Sequence, residues 1–594
     1  MPTISRDGDK LVVESVPREH PALKLVPGVT YKGRRQRFDG RLSWVTYAQL
    51  YAIFGAELTV DPSLDEWLAT EGARQAQLRW LGKQLELPPD WDFLGENNLY
   101  PPQRVGTEFL LLAKGAVIGD EMGGGKTPQI CIGIKELLDA HPGRRALIVG
   151  SKSSLTEVWV PHVRKWTGID PAVAIGNIKE RRAAIESDSP IVMMSYDTLL
   201  QHTKLARFGN IAFKRCPECL RPDDPVPTVP VKAQQCEAHA KELNAIDWLV
   251  VAADEIHKCF DPKSKRTRAL KALMWPTEWR WGATGTPSAN HEADFWSILN
   301  AVQPNEFPSR SQYIERYVAQ GWSPWGGLVL YGLKADTRDE FTAITDAIMI
   351  RRPRKILTPW LPDALPPEVR VVELPRALRT AYDEVKDDLI AQIDGGMILA
   401  PNPLTNTLRL RQLACAMLEQ VGEDDEGKPK YRMIEPSPKI DELEAIIEEV
   451  GPDEPLVVFA ESRQLIQLAE ERLAKNGTTF SSFHGAQLDI ENTSHMARWQ
   501  RGETQVLLMT LAKGAESFTL VRSHIIIYIM ESYSFLQMQQ SRDRIDRDGQ
   551  TKAPLHIHIR SANTVETKVA AAQSDKGERF EALVRDAEWL KELL

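Results

Sequence analysis

The run Asp120-Glu121-Met122-Gly123-Gly124-Gly125-Lys126-Thr127 joins three successive glycines to a lysine and a hydroxyl residue. Such glycines let backbone N–H groups turn inward around a polyphosphate, while the Lys126 ammonium reaches its β and γ oxygens and the Thr127 hydroxyl holds Mg²⁺. The chemistry implied is the binding of a nucleoside triphosphate. One position departs from the pattern G-x-x-x-x-G-K-[ST]: Asp120 stands where its first glycine belongs. Downstream, the apolar run Trp248 to Ala253 ends in Asp254-Glu255-Ile256-His257. A buried parallel strand delivers carboxylates at its carboxyl end in this way. Asp254 is expected to hold Mg²⁺ through water and Glu255 to orient and deprotonate an attacking water, since in-line attack on a γ-phosphate needs both charge neutralisation and positioning.

The elements that must position these groups are legible around them. An apolar segment leads into residues 120–127 and a helical pattern, Pro128 to Leu138, leaves them. From Leu99 to about Pro304, apolar stretches (Ala116–Ile118, Ala146–Val149, Ile191–Met194, Trp248–Ala252) alternate with longer helical patterns, which predicts a parallel α/β lobe. Leu374 to Met417 reads as helical, Glu423 to Gly427 as an exposed acidic turn, and Leu456 to about Ile559 repeats the alternation. No short-period repeat or low-complexity tract interrupts the chain.

Between Tyr196 and the Asp254 strand lie Cys216-Pro217-Glu218-Cys219 and Cys236-Glu237-Ala238-His239, separated by a spacer containing Pro222, Pro225, Pro227 and Pro230. Two close ligand pairs joined by a loop suit tetrahedral Zn²⁺, because each pair forms one edge of the tetrahedron. Three cysteines and a histidine cannot make two disulfides. Four protein ligands leave no open position for a catalytic water, so the expected role is structural. Cys131, Cys259 and Cys415 stand singly and are expected as small buried hydrophobes.

Taken together, DEMGGGKT, Asp254-Glu255-Ile256-His257, Ala283-Thr284-Gly285-Thr286-Pro287 and Gln540, Arg544 and Arg547 ahead of Gly549-Gln550 resemble the superfamily-two helicase motor, specifically the Swi/Snf-type ATPases, over about residues 95 to 570. By this resemblance Gln103 reads the adenine. Gly123, Gly124, Gly125, Lys126 and Thr127 hold ATP, with Asp254 on its Mg²⁺. Arg544 and Arg547, whose spacing places two guanidinium groups on one helical face, become arginine fingers. Ser195, Thr286, His484 and Thr519 are expected to grip DNA phosphates without reading bases. Arg351-Arg352 resembles the inter-lobe segment, and Leu511 to Leu520 a glycine-rich motif of which only Gly514 remains, Ala515 and Ser517 replacing the others. The fold class expected is α/β: two tandem RecA-like parallel lobes (96–345 and 346–594), a small N-terminal accessory domain (1–95) and an inserted zinc ribbon (213–242). In the first segment Val26-Pro27-Gly28, Trp44 and Phe54-Gly55 resemble the HARP-type domain of annealing helicases, and a structural cap on the first lobe is the alternative.

The chain has 594 residues, enough for several cores, and 26% of them are charged, with no sustained apolar run that could cross a membrane. Met1 to Lys10 lacks the apolar stretch of a secretory signal, so the protein is expected inside the cell, in the cytoplasm of a bacterium or phage-infected host, or in the nucleus of a eukaryote. Lys and Arg total 73 against 82 Asp and Glu, a net charge of −9, which excludes a chain that coats nucleic acid through global charge. Contact must be local. Basic candidates are 32–37, Lys263 to Arg268 and Arg351 to Lys355, the last two beside motor motifs.

The leading expectation is an ATP-driven motor that tracks along double-stranded or forked DNA in repair, replication or recombination, with proteins of those processes as partners. A DEAH-like helicase that unwinds DNA or RNA is the alternative among enzymes. An ATP-gated DNA clamp with weak turnover, suggested by the altered Gly514 motif, is the alternative of another class.

Overall fold

The computed structural model describes residues 2–14, 20–24, 26, 28–33, 37–89, 91, 99–220, 231–232, 235–285, 292–322, 328–388, 390–393, 396–399, 403–423, 429–485, 489–514, 518–567 and 570. The chain divides into two units, one running to Leu357 and the other starting at Thr358.

The first unit opens with strands β1 (Thr3–Asp7), β2 (Lys10–Glu14), β3 (Thr30–Lys32), β4 (Arg37–Arg41) and β5 (Thr59–Val60), which form a sheet in the order β3-β4-β2-β1-β5. Ile4, Leu11, Val13 and Phe38 of this sheet pack with Leu50 and Leu64 in a core of their own. The helix Trp44–Phe54 is capped by Ser43, whose side chain accepts from the Thr46 N–H. The next helix, Asp65–Leu81, bridges two cores: Trp67 and Leu68 pack on the small domain, while Leu78 and Leu81 join Val105 and Phe109 in the main core. The small domain's core therefore ends near Leu68, ahead of the expected boundary at 95. Glu306 ties this domain to the lobe, accepting from Ser43 Oγ at 2.6 Å and from the Val45 N–H at 2.8 Å.

Seven strands build the main sheet: β6 (Gly115–Ile118), β7 (Arg145–Gly150), β8 (Ala172–Ala174), β9 (Ile191–Ser195), β10 (Trp248–Ala253), β11 (Trp279–Ala283) and, beyond a hairpin of β12 (Val318–Trp322) and β13 (Leu328–Leu333), β14 (Met349–Ile350). Their order is β14-β6-β11-β10-β7-β9-β8, and every pairing is parallel. Alternation in β10 explains why it is apolar throughout: Val251 and Ala253 face one core, Val250 and Ala252 the other. Pairing of β14 with β6 keeps Met349 and Ile350 in this sheet, so the first unit extends past the expected boundary at 345/346.

The second unit contains β15 (Glu368–Val372), the hairpins β16 (Ile390–Ile393) with β17 (Gly396–Leu399) and β18 (Met417–Glu423) with β19 (Pro429–Ile434), then β20 (Leu456–Ala460), β21 (Phe480–Phe483), β22 (Val506–Thr510), β23 (Ile525–Met530) and β24 (Leu555–Ser561). Its main sheet, β15-β24-β23-β20-β22-β21, is also parallel throughout. The stretch expected to be helical from Leu374 to Met417 instead forms helices Arg376–Asp388 and Pro403–Leu413 around the β16–β17 hairpin. Asp394-Gly395 in that sequence is a turn pairing that helices disfavour. Most of the expected acidic turn, residues 424–427, lies outside the described residues. Among the described residues, no helix is long and apolar enough to cross a membrane.

Candidate active site

The glycine loop connects β6 to the helix Lys126–Ala140. Gly123 and Gly125 have φ of 85° and 75°, backbone that a side chain rarely adopts. A Cβ on Gly125 would lie 2.1 Å from Gln103 Nε2, and one on Gly124 only 2.4 Å from Leu357 Cδ1, so these two positions have no room for a side chain. Gln103 sits beside the loop at the start of the helix Pro101–Ala113, its Oε1 accepting from the Tyr100 N–H at 3.2 Å and its Nε2 donating to Gly124 O at 3.5 Å. Lys126 Nζ donates to the carbonyls of Asp120 at 2.9 Å and Glu121 at 3.3 Å, and Thr127 is half-buried in the first turn.

The departure at Asp120 has a structural cause. Its carboxylate is fully buried against Arg352: Oδ1 accepts from the Arg352 N–H and Nε, each at 3.0 Å, and Oδ2 accepts from Nη2 at 2.6 Å. Gln129 closes the cluster, accepting from Arg352 Nη2 at 3.1 Å and donating to Asp120 Oδ2 at 3.2 Å. The aspartate anchors the loop to the chain just past β14. Arg351 and Arg352 are accordingly 9% and 0% exposed, so the start of this basic run is an internal anchor, while Lys355 at its end is exposed.

Two carboxylates stand at the carboxyl end of β10. Ser154 Oγ donates to Asp254 Oδ2 at 2.5 Å, and Tyr196 OH donates to the Asp254 carbonyl at 2.8 Å. Glu255 has φ 48° and ψ 51°, a left-handed conformation that costs a non-glycine residue on the order of 1–3 kcal/mol and that clusters at functional sites. Its Oε2 lies 3.0 Å from His257 Nδ1, which is itself 3.0 Å from Thr284 Oγ1 at the end of β11. Burial acts to raise the Glu255 carboxyl, but the charge and hydrogen bond of His257, then the Lys126 and Lys258 ammonium groups, outweigh it and bring it down to about 2. Asp254 moves the other way: burial and then the Glu255 charge push it up, only partly offset by Ser154, Trp159 and Lys126. One site thus holds a secured carboxylate beside a more basic one, and the Lys126 ammonium acts on both.

In the insertion, the Sγ atoms of Cys216, Cys219 and Cys236 all lie within 4.8 Å of one another. His239 Nδ1 is 3.9 Å from Cys216 Sγ and 3.5 Å from Cys219 Sγ. Burial raises the Cys236 thiol, yet the N–H groups of Cys216, Ala238 and His239 reverse this and hold it below the usual thiol range. Three sulfur donors gathered together, with His239 Nδ1 beside two of them and amides favouring a thiolate, suit a tetrahedral ion. The three solitary cysteines, Cys131, Cys259 and Cys415, are fully buried.

The second unit departs from expectation in detail. Arg544 and Arg547 do not share a helical face, because the helix Phe535–Arg542 ends before them and residues 543–549 form turns. Arg544 is 2% exposed and donates through Nε to Gly514 O at 2.9 Å, while Arg547 Nε donates to Asp543 O at 2.9 Å and its Nη1 lies 3.5 Å from Thr519 Oγ1. Gly514 survives in its altered motif for a packing reason: a Cβ there would meet Phe459 Cε1 at 2.3 Å. Of the expected phosphate contacts, Ser195 and His484 are both 5% exposed. Ser195 Oγ is bonded to Thr198 Oγ1 at 2.9 Å and His484 Nε2 lies 3.4 Å from Glu470, so neither side chain is presented to a phosphate. Thr519 is exposed, and Thr286 lies outside the described residues. The basic run at 263–268 is also partly internal, since Arg268 is 2% exposed and Arg266 pairs with Asp197 at 2.9 Å.

Residues 65–418 match the SNF2-related domain and residues 438–549 the helicase conserved C-terminal domain. The chain is 22% identical to Protein CHROMATIN REMODELING 24 of Arabidopsis thaliana over 83% of its own length and 47% of that protein's. It is 22% identical to an uncharacterized ATP-dependent helicase of Mycoplasma genitalium, over 84% of this chain and 43% of that one. It is 21% identical to the human DNA repair and recombination protein RAD54-like, over 80% and 65% respectively. Against the first two relatives the chain spans under half of their length. A solved structure, the Sulfolobus solfataricus SWI2/SNF2 ATPase core in complex with dsDNA, shares 19% identity over 86% of this chain and 97% of that one, with a TM-score of 0.36.

Proposed function

We propose a function from one premise: this chain belongs to the SNF2-related family, whose domain match takes in residues 65–418. It is a DNA-dependent ATPase that tracks along double-stranded DNA, and it serves DNA repair, replication or recombination. The observation that carries the hydrolytic part is that the parallel order β6-β11-β10 brings the glycine loop with Lys126 and the Asp254–Glu255 pair to the carboxyl edge of one sheet.

The residues present suit ATP with Mg²⁺: the glycine turn has no space for side chains, and Thr127 and Asp254 offer the hard oxygen donors that Mg²⁺ requires. Bound there, the ion neutralises charge on the phosphate oxygens. The chain's own part is then positional. Lys126 leaves its loop carbonyls for the phosphates, Glu255 stays ionised to orient a water and take its proton, and His257 holds Glu255 while touching Thr284. Arg547, which is half-buried, is the finger of the two, because Arg544 is 2% exposed with its Nε on Gly514 O. Zn²⁺ held by Cys216, Cys219, Cys236 and His239 braces the insertion.

Double-stranded DNA as the track is supported by the family and by the human relative's name as a DNA repair and recombination protein. Steady-state hydrolysis measured with no nucleic acid, single-stranded DNA, duplex DNA and RNA tests it, together with displacement of a third strand from a duplex. Duplex should stimulate most and the third strand should be displaced. Separation of a plain duplex, or stimulation by RNA alone, overturns the reading in favour of an unwinding helicase.

A further inference from the structure

Two adjoining cavities in the first unit share no residue with the hydrolysis site. The first, of about 860 Å³, is lined by Arg207, Lys263, Arg268, Lys271 and Arg310 against one acid, Glu315. The second, of about 810 Å³, shares Arg207 and Trp275 with it, adds Arg41, Lys204 and Arg215, and has no acid among the described residues that line it. Cys219 and Ala238 of the insertion form part of its wall. In a chain of net charge −9 this is a local excess of cations.

The deepest of these cations are incompletely paired: Arg268 Nε donates to Ala206 O at 2.9 Å, while other donor atoms meet no acceptor. Lys271 and Arg268 are 3% and 2% exposed. Among the described residues, Lys271 Nζ, Arg268 Nη2 and Arg310 Nε are buried atoms with no hydrogen-bond partner. Lys271 Nζ sits 4.6 Å from the centre of the Trp296 ring, and the Arg268 guanidinium 4.7 Å from that of Phe213, contacts that compensate a desolvated charge only in part. Burial lowers the Lys271 ammonium to about 7. Buried cationic donors without acceptors mark a place built for an anion.

Two features favour a strand over one small anion. The cations are divided between the two cavities, Lys263 in the first and Arg41 in the second, with Arg207 common to both. Phe208 and Trp275, both partly exposed, offer ring faces along the way, and the Trp275 Nε1 hydrogen is already spent on Asn300 O at 3.0 Å. Cationic tracks with ring faces are how proteins hold single strands independently of sequence.

We propose that the two cavities form one groove that takes the backbone of a single nucleic-acid strand, its phosphate oxygens accepting from Lys271, Arg268 and Arg310 and its bases resting on Phe208 and Trp275. The insertion then serves as one wall of this groove.

The test measures binding of a short fluorescent oligodeoxythymidylate to the full chain without nucleotide, over a series of salt concentrations, with inorganic pyrophosphate as competitor. Arg207→Ala and Lys263→Ala alter exposed rim residues and should each weaken strand binding roughly three- to ten-fold and lower the slope of log affinity against log salt by about 0.7, with basal hydrolysis unchanged. Lys271→Met, which keeps an aliphatic chain in the buried position, should weaken binding at least as much. A strand carrying 4-thiothymidine should crosslink to the peptide containing Trp275 in the parent chain and lose that crosslink in the variants. Unchanged affinity and slope in all three variants, or pyrophosphate that binds while no crosslink forms at Trp275, overturns the groove. Because basal hydrolysis is read separately, failure of the motor reading shows in hydrolysis and failure of the groove only in strand binding.

Discussion

Arg352 Nη2 lies 2.6 Å from Asp120 Oδ2, in a pair that is fully buried on both sides and 232 residues apart along the chain. The aspartate occupies the place of a pattern glycine and ties the phosphate loop to the end of the first unit. Removing one partner of such a pair leaves a buried charge with nothing to balance it, a loss on the order of 3–5 kcal/mol.

Asp120→Asn should therefore destabilise the first unit by about 3–5 kcal/mol, and Asp120→Gly, which restores the general phosphate-loop pattern at that position, should be no better. Urea unfolding measured with and without ATP checks this. A glycine variant as stable as the parent would show that the ion pair contributes nothing.

Lys126→Ala should lose hydrolysis together with ATP affinity, whereas Glu255→Gln should bind ATP and fail to turn it over. Equilibrium binding of a fluorescent ATP analogue beside steady-state rates separates the two. A Glu255→Gln protein that hydrolyses ATP at the parent rate removes Glu255 from the role of base.

Glu255 is held at about 2 chiefly by His257. A carboxyl lowered on folding contributes stability that is present above its unfolded value near 4.3 and is lost as pH falls through its folded value. His257→Ala removes the main lowering influence, so the Glu255 value rises and the acid limb of the kcat profile should move to higher pH. The pH–rate profiles of the two proteins decide it, and superimposable acid limbs would contradict the coupling.

Arg547→Ala should leave ATP affinity near that of the parent and reduce turnover by about 10³ or more, since a finger acts on the transition state. Arg544→Ala should behave differently, lowering the stability of the second unit by about 1–3 kcal/mol because the buried Gly514 carbonyl loses its donor. Thermal unfolding and Michaelis kinetics on both variants test the contrast. A large loss of ATP affinity with unchanged maximal rate in Arg547→Ala rules out the finger.

Protein purified without chelators should carry one Zn²⁺ per chain, and Cys219→Ser should release it and loosen the insertion more than the ATP site. Elemental analysis and limited proteolysis read the two effects. Metal-free parent protein with an intact insertion ends the zinc assignment.

The sequence alone determined what depends on neighbours in the chain. Gly123 to Thr127 turn a strand into a helix by local backbone freedom, the apolar run Trp248 to Ala253 marks a strand buried on both faces, and the two short ligand pairs at 216–219 and 236–239 are defined by spacing. Tertiary structure decided what depends on distant partners. No pattern near Asp120 announces Arg352, and none near Asp254 announces Ser154, which lies 100 residues away. Nor does the spacing of Arg544 and Arg547 reveal that their helix stops at Arg542, so that one guanidinium is buried on Gly514 and the other stays half-buried. The same holds for the fate of charges. A lysine or arginine is equally polar on paper, and only packing shows that Arg352 is paired, Arg266 rests on Asp197 at the surface, and Lys271 is buried over a tryptophan with no acceptor among the described residues. Local backbone preference and periodicity are properties of a few adjacent residues, whereas pairing and desolvation arise only when the chain has brought remote segments together.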